Sequence, residues 1–295
     1  MLAIDTNQLT KRYGDFQAVN SVSLKVREGE IFALLGPNGA GKTTTVEILE
    51  GHRLKTSGQV KVLGMDPSEN STEFRSRVGI VLQETGIEQY LTAVEILEQF
   101  TNFYESPRSI SNLLEMTGLE EEKNKRVKKL SGGQKRRLDV AIGLCGNPDI
   151  LFLDEPTTGF DPSARRTFWD MIKNLRNDGT TVVLTTHYME EAEYLADTVA
   201  LMNHGKLVTQ GSLSDLKISH NQTSITFKLD ESSAVLPEDI QEISEISKSM
   251  VLINTESPTA VLSDLTGWAI SEGIELTNLE VSRQTLEEIY LGILK

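Results

Sequence analysis

The sequence is poor in cysteine, in membrane-length apolar runs and in excess basic charge. One cysteine, Cys145, stands among 295 residues, which excludes an internal disulfide and a cysteine-built zinc cluster. It lies in the apolar stretch Val140-Ala-Ile-Gly-Leu-Cys145, where a buried small hydrophobe is favoured over a reactive thiol. No uncharged apolar stretch approaches about 18 residues, so no spanning helix is expected. The opening residues, Met1-Leu-Ala-Ile-Asp5, lack the basic region and long apolar core of a secretory leader, and the expected compartment is the cytosol. The net charge of −14 argues against a nucleic-acid surface spread over the whole molecule. Sustained heptads are missing too, which excludes long coiled coils. What remains is a hydrophobic content of 38% and a charged content of 24%. That composition builds a core, and the length suits one large domain or one large plus one small.

The stretch with most chemistry is Gly36-Pro-Asn-Gly-Ala-Gly-Lys-Thr-Thr44, which reads G-x-x-x-x-G-K-[ST], a phosphate-binding P-loop. The apolar run Ile31 to Leu35 precedes it and a helical stretch from Thr43 to Glu50 follows. Strand, glycine-rich turn and helix together aim backbone N–H groups and a positive helix end at polyphosphate. Lys42 is placed to reach the β- and γ-phosphates, and the Thr43 hydroxyl to ligate Mg²⁺. Gly36, Gly39 and Gly41 let the backbone turn and approach the phosphates with no Cβ in the way.

Residues 2 to 30 alternate in short runs and predict two or three antiparallel strands. Tyr13, in Lys-Arg-Tyr-Gly, is either a nucleobase-stacking ring or an ordinary strand residue. Strands are expected at 59–63 and 77–83, the second ending on Gln83, which either meets an ion or water in a site or is simply solvated. From 84 to 147 the apolar residues fall at helical spacing, as in Val94, Leu97 and Phe100, and predict a helical insert. The basic run from Lys123 to Arg137 is read as a solvated or anion-facing surface. Within it Ser131-Gly132-Gly133 opens a helix, an anion-binding arrangement.

Ile150-Leu-Phe-Leu-Asp154-Glu155 predicts a buried strand with two acids at its carboxyl end, where open α/β sheets bind ligands. Asp154 is placed to hold Mg²⁺ through water, and Glu155 to orient an attacking water. A helix from Pro162 to about Gly179 follows, then a β-branched strand, 180–187, ending in His187, a candidate phosphate contact. A hairpin is expected to turn at Asn203-His204-Gly205. Alternating strands and helices predict a largely parallel sheet, with antiparallel edges. A polar linker is placed at 211–223. Beyond it, strands at 224–229 and 250–254 and a helix from Ser257-Pro258 to Gly273 predict a small α/β appendage. Thr285 to Glu288 reads as a capping box. Residues 218–295 hold 13 acids against 4 bases, a net −9, and no catalytic constellation.

Taken together, these motifs resemble the ATP-binding subunit of an ABC transporter. The resemblance covers residues 1–216, with the helical subdomain at 84–147. Gly36 to Thr44, including Pro37, Asn38, Ala40 and Thr44, matches Walker A. Tyr13 falls at the adenine-stacking position and Gln83 at the Q-loop. Leu130-Ser-Gly-Gly-Gln134 matches the family signature, Ile150 to Glu155 Walker B, Gly159-Phe-Asp161-Pro162 the D-loop, and His187 the switch histidine. Phe160 stands where the family usually has Leu, and keeps an apolar anchor. The tail, 217–295, is similar to the C-terminal domain of daunorubicin-resistance export ATPases.

The resemblance implies a P-loop NTPase core with an antiparallel edge, and ATP with Mg²⁺ as ligands. It implies a dimer, homotypic or with a related subunit, in which Ser131, Gly132, Gly133 and Gln134 of one subunit close over ATP held by the other, with Asp161 at the interface. Glu155 would polarise water, Lys42 and His187 would stabilise transition-state charge, and Gln83 would sense Mg²⁺ and link to a separate membrane-spanning permease. The chain would then sit on the cytoplasmic face through that permease and drive export of a drug, antibiotic, lipid or similar cargo, with no nucleic-acid partner. The rivals are an importer ATPase and an ABC ATPase uncoupled from transport. Importers often carry an all-β tail, and the soluble class carries paired cores, coiled coils or zinc cysteines.

Overall fold

The computed structural model describes residues 1–82, 86–219, 223–229, 236–247 and 250–283, with Leu286 and Tyr290. It divides into two compact units, Met1–Leu213 and Ser214–Lys295.

The first unit begins with β1 (Leu2–Tyr13), β2 (Phe16–Val22) and β3 (Lys25–Arg27), paired antiparallel around β1. Next comes β4 (Ile31–Leu35), buried at all five positions, which runs into the P-loop and α1 (Lys42–Leu49). β5 (Ser57–Val62) pairs antiparallel with β1. The strand expected at 59–63 therefore joins the edge sheet. Its own pattern explains this, since Val60 and Val62 are buried while Gln59 and Lys61 are exposed, the one-sided burial of an antiparallel strand.

The chain then continues through α2 (Thr72–Arg77) and β6 (Val78–Val81) into the helical insert, made of α3 (Ala93–Thr101), α4 (Ile110–Thr117) and α5 (Gly132–Gly143). Sequence signals start and stop these helices. Thr92 and Glu95 form a capping box at α3, Ser109 caps α4, and Gly118 ends it in a left-handed conformation, as expected for such residues. β7 (Ile150–Asp154), α6 (Pro162–Asn177), β8 (Thr181–Thr186), α7 (Met189–Leu195) and the antiparallel pair β9 (Thr198–Asn203) and β10 (Lys206–Ser212) complete the unit. β10 lies where the hairpin was expected.

The central sheet has the order β10-β9-β4-β8-β7-β6, and every pairing from β9 to β6 is parallel. Its inner strands are covered on both faces, which is why they read as unbroken apolar runs. Phe152 and Phe32 are among the largest fully buried side chains, each contributing about 2–3 kcal/mol by leaving water. The pairings Leu35↔Thr186, Asp154↔Thr185 and Val81↔Leu153 show that four strands end in step. Their following residues therefore crowd one edge.

The expected linker at 211–223 is mostly regular. β10 runs to Ser212, and α8 (Leu213–Ser219) follows. Leu216 is buried, an anchor that the polar composition of the stretch conceals. In the second unit β11 (Thr223–Lys228), β12 (Ser244–Ser247), β13 (Met250–Thr255) and β14 (Thr277–Arg283) form an antiparallel sheet of order β12-β13-β11-β14. A short α9 (Glu238–Gln241) and the longer α10 (Pro258–Glu272) accompany it. Ile225, Phe227, Val251, Ile253 and Leu265 share one core. Ser257 occupies the expected N-cap position but makes no capping hydrogen bond, and Gly273 closes the helix in the left-handed region. The capping box at 285–288 lies outside the described residues.

Candidate active site

The P-loop wraps a cleft of about 430 Å³ lined by residues 38–44 together with Phe16, Ala18 and Glu155. Two of its glycines are required by close approach. A Cβ on Gly36 would sit 2.3 Å from the Met202 carbonyl oxygen, and one on Gly41 2.4 Å from that of Ala18. Gly41 is also the left-handed N-cap of α1, which has no side-chain cap. The first N–H groups of that helix therefore face the cleft without an internal partner, the arrangement that attracts anions. Lys42 is buried. Its Nζ donates to the carbonyls of Gly36 at 2.8 Å and Pro37 at 3.2 Å. Burial lowers its pKa, while the Glu155 and Asp154 carboxylates oppose the shift. Pro37, Asn38, Gly39 and Thr43 are exposed, Ala40 is buried and Thr44 is half-buried.

Asp154 ends β7 and Glu155 follows it. Glu155 adopts a left-handed backbone conformation, φ 42°, a strained setting for a side chain of this size. What holds it is Thr185 on the neighbouring strand. The Glu155 N–H donates to the Thr185 carbonyl at 3.2 Å and to its Oγ1 at 3.1 Å. The same hydroxyl donates to Asp154 Oδ1, so one threonine sets both acids. His187 Nδ1 lies 3.2 Å from Glu155 Oε1, without the alignment of a hydrogen bond. The segment after Glu155 is pinned by fully buried Glu191, whose Oε1 accepts from Thr157 Oγ1 at 2.8 Å and Trp169 Nε1 at 2.9 Å.

Glu50, at the end of α1, is buried with His52 Nδ1 3.4 Å from its carboxylate. Burial pushes its pKa up to about 8, with Asp154 and Glu47 adding to the effect.

Ser131 caps α5. Its Oγ accepts from the Gln134 N–H at 3.2 Å, and Gln134 Oε1 accepts from the Ser131 N–H at 2.9 Å. Nothing lies within 4 Å of a Cβ built on Gly132, and one on Gly133 would make only ordinary contact with Ala164. The chain's own packing thus gives no reason for glycine at either position, Gly132 exposed and Gly133 half-buried. Asp161 caps α6, accepting from Ser163 and Ala164 N–H. Phe160 packs edge-on against Phe168 with centroids 5.7 Å apart, the apolar anchor expected there. Cys145 is buried and its thiol is pushed up to about 12 by burial.

Thus β4, β7 and β8 bring the P-loop, Asp154, Glu155 and His187 to one edge. Gln83 lies outside the described residues. Tyr13 does not line the cleft. Its ring carries Lys11 Nζ at 4.9 Å and Arg53 Cζ at 5.4 Å, while its hairpin partner Phe16 is the aromatic on the cleft wall. Thr185, Glu191 and Phe16 were not singled out in the sequence. The strand pairing of Tyr13 with Phe16 across Gly14-Asp15 was the available signal for the last.

Residues 19–158 match the family model described as "ABC transporter". The chain is 43% identical over 219 residues to a probable multidrug ABC transporter ATP-binding protein, YbhF, of Escherichia coli, covering 72% of this chain and 38% of that protein. The chain therefore spans well under half the length of that relative. It is 34% identical over 302 residues to the daunorubicin resistance ATP-binding protein DrrA3 of Streptomyces coeruleorubidus, covering 99% of this chain and 95% of the relative. Among solved structures, the ATP-binding cassette MJ0796, a dimer bound to ADP and Pi in a post-hydrolysis state, superposes with a TM-score of 0.63 at 28% identity, covering 71% of this chain and 98% of that one.

Proposed function

Since the chain belongs to the ATP-binding proteins of ABC transporters, we propose that it is the ATP-hydrolysing subunit of an exporter. It dimerises around two ATP molecules and drives a separate membrane-spanning subunit. The carrying observation is the convergence of the P-loop cleft with Glu155, held in a left-handed conformation 3.2 Å from His187. In this reading the open N–H groups of α1 and Lys42 take the polyphosphate, Lys42 exchanging its loop carbonyls for phosphate oxygens. Glu155 accepts a hydrogen bond from the attacking water, and His187 and Lys42 face the charge that builds on the transferred group. Phe16, at the cleft wall, stacks on the base.

The donor set suits Mg²⁺. Among the described residues no cluster of three or more His, Cys, Asp or Glu could cage a metal, whereas one hydroxyl (Thr43) and one carboxylate (Asp154) beside a phosphate site are the usual protein share for this ion. Held there, Mg²⁺ would neutralise negative charge on the phosphates.

The exposed cap at Ser131 and the uncrowded Gly132 and Gly133 suit a second subunit's nucleotide pressing on them, which supports a dimer with shared sites. Among the described residues no helix is long and apolar enough to cross a membrane, so membrane association is assigned to the permease. Export is favoured by the daunorubicin-resistance relative, similar over nearly its whole length, and by a second unit that mixes helix and sheet.

The test is the Glu155→Gln chain, tagged, trapped with ATP and gently solubilised from membranes. It should bind ATP, form an ATP-dependent dimer by size exclusion, lose turnover by about 100-fold or more, and co-purify with a polytopic membrane protein. Wild-type turnover, or recovery with ribosomes or DNA and no membrane protein, would overturn the reading.

A further inference from the structure

Arg136, on the second turn of α5, is almost fully buried, yet among the described residues no carboxylate is paired with it more closely than Asp139 Oδ2, 3.8 Å from its Nη1. Its guanidinium is spent on backbone carbonyls of separate segments. Nε donates to Pro156 O at 3.1 Å, Nη2 to Asp154 O at 2.9 Å, and Nη1 to Leu82 O. The first two carbonyls bracket Glu155. The third belongs to Leu82, the residue just past the end of β6. A planar fork with several fixed donors can hold three such acceptors at once, and an ammonium cannot.

We propose that Arg136 is a positioning residue that ties the signature helix to the backbone on either side of Glu155, so that engagement of Ser131 by one ATP sets the hydrolytic carboxylate for the other. The inference rests on the dimer reading above. In that dimer Ser131, at the N-terminus of α5, meets the nucleotide on the partner's P-loop, while Arg136, five residues on, holds the carbonyls on either side of Glu155 in its own chain. Motion of α5 by a fraction of an ångström is passed to the Asp154–Pro156 backbone, because the guanidinium fork has little slack. The two ATP sites are thereby linked through one side chain.

The experiment uses the full chain with Arg136→Lys and Arg136→Gln. Both should lower kcat about tenfold or more while KM for ATP stays within about threefold. The Hill coefficient of hydrolysis should fall to about 1. A role confined to holding the fold would instead lower the ATP-binding stoichiometry in step with kcat and leave the Hill coefficient alone. A second arm keeps Arg136 intact. Mixed dimers with Ser131→Arg in one protomer, isolated by two tags, should retain about one tenth of wild-type turnover, because the disengaged α5 leaves its own Glu155 unset. Half activity in the mixed dimer, or unchanged kcat and Hill coefficient in both Arg136 variants, would overturn the proposal. A wild-type chain that neither dimerises with ATP nor hydrolyses it would instead refute the function from which this inference starts.

Discussion

Replacing Thr185 by Val keeps the shape of the side chain and removes only the hydroxyl. That hydroxyl is fully buried, donates to the Asp154 carboxylate and accepts from the Glu155 N–H. A hydrogen bond to a charged group contributes about 1.5–3 kcal/mol and a neutral one about 0.5–1.5 kcal/mol, so the loss should be about 3 kcal/mol. For a unit of this size each kcal/mol moves Tm by about 2–4 °C, which gives a drop of about 6–12 °C. Thr185→Ser retains the hydroxyl and loses one methyl, at a cost of about 1 kcal/mol. Turnover should separate the two variants further. Without the hydroxyl, the Glu155 N–H keeps only the Thr185 carbonyl, and the strained φ relaxes. A fall in kcat of about 10- to 100-fold is expected for Val, with Ser within about threefold of wild type. Differential scanning calorimetry and steady-state ATPase assays on the three proteins decide the matter. Equal Tm and equal kcat for Val and Ser would show that the hydroxyl does not set the acids.

Phe16→Ala should raise KM for ATP by about tenfold, the loss of one stacking contact of about 1–3 kcal/mol, whereas Tyr13→Ala should move it little; the reverse order in nucleotide titrations would return the stacking role to Tyr13. Glu50 carries a pH signature. Its folded pKa of about 8 lies above the ordinary 4.5, so its contribution is complete below pH 4.5 and is lost as pH rises towards 8. The loss is on the order of 3–5 kcal/mol by linkage. Glu50→Gln should therefore match wild type in Tm near pH 5 and exceed it near pH 8 in nucleotide-free protein, and parallel Tm-against-pH curves would refute the assignment.

The parallel strands and their carboxyl-end residues were legible because buried strands are apolar without interruption and polar residues mark where they stop. Asp154, Glu155 and His187 could be grouped on that basis alone. Thr185 could not, because a threonine inside a β-branched run looks like any strand former, and its role arises only from pairing with β7. Arg136 and Glu191 were hidden for the same reason. One sat in a basic run that reads as a solvated face, the other in an acidic helix start, and both acquire partners 20 or more residues away. β14 escaped notice because it is exposed from Thr277 to Val281 and so shows no clear alternation, and β12 because it is only four residues long. α8 was concealed by polar composition around one buried leucine.

The helical insert occupies the crossover between two neighbouring strands, β6 and β7, which end and begin at Val81 and Ile150. A crossover can be short, about a dozen residues. Stretching it to 68 residues, 82 through 149, adds only about 1.5 kcal/mol of chain-closure entropy, because that cost grows with the logarithm of length. The register of the sheet does not depend on what fills the span. The stretches of the insert outside α5 can therefore vary in length while the strands that carry the P-loop, Asp154 and Glu155 keep their register.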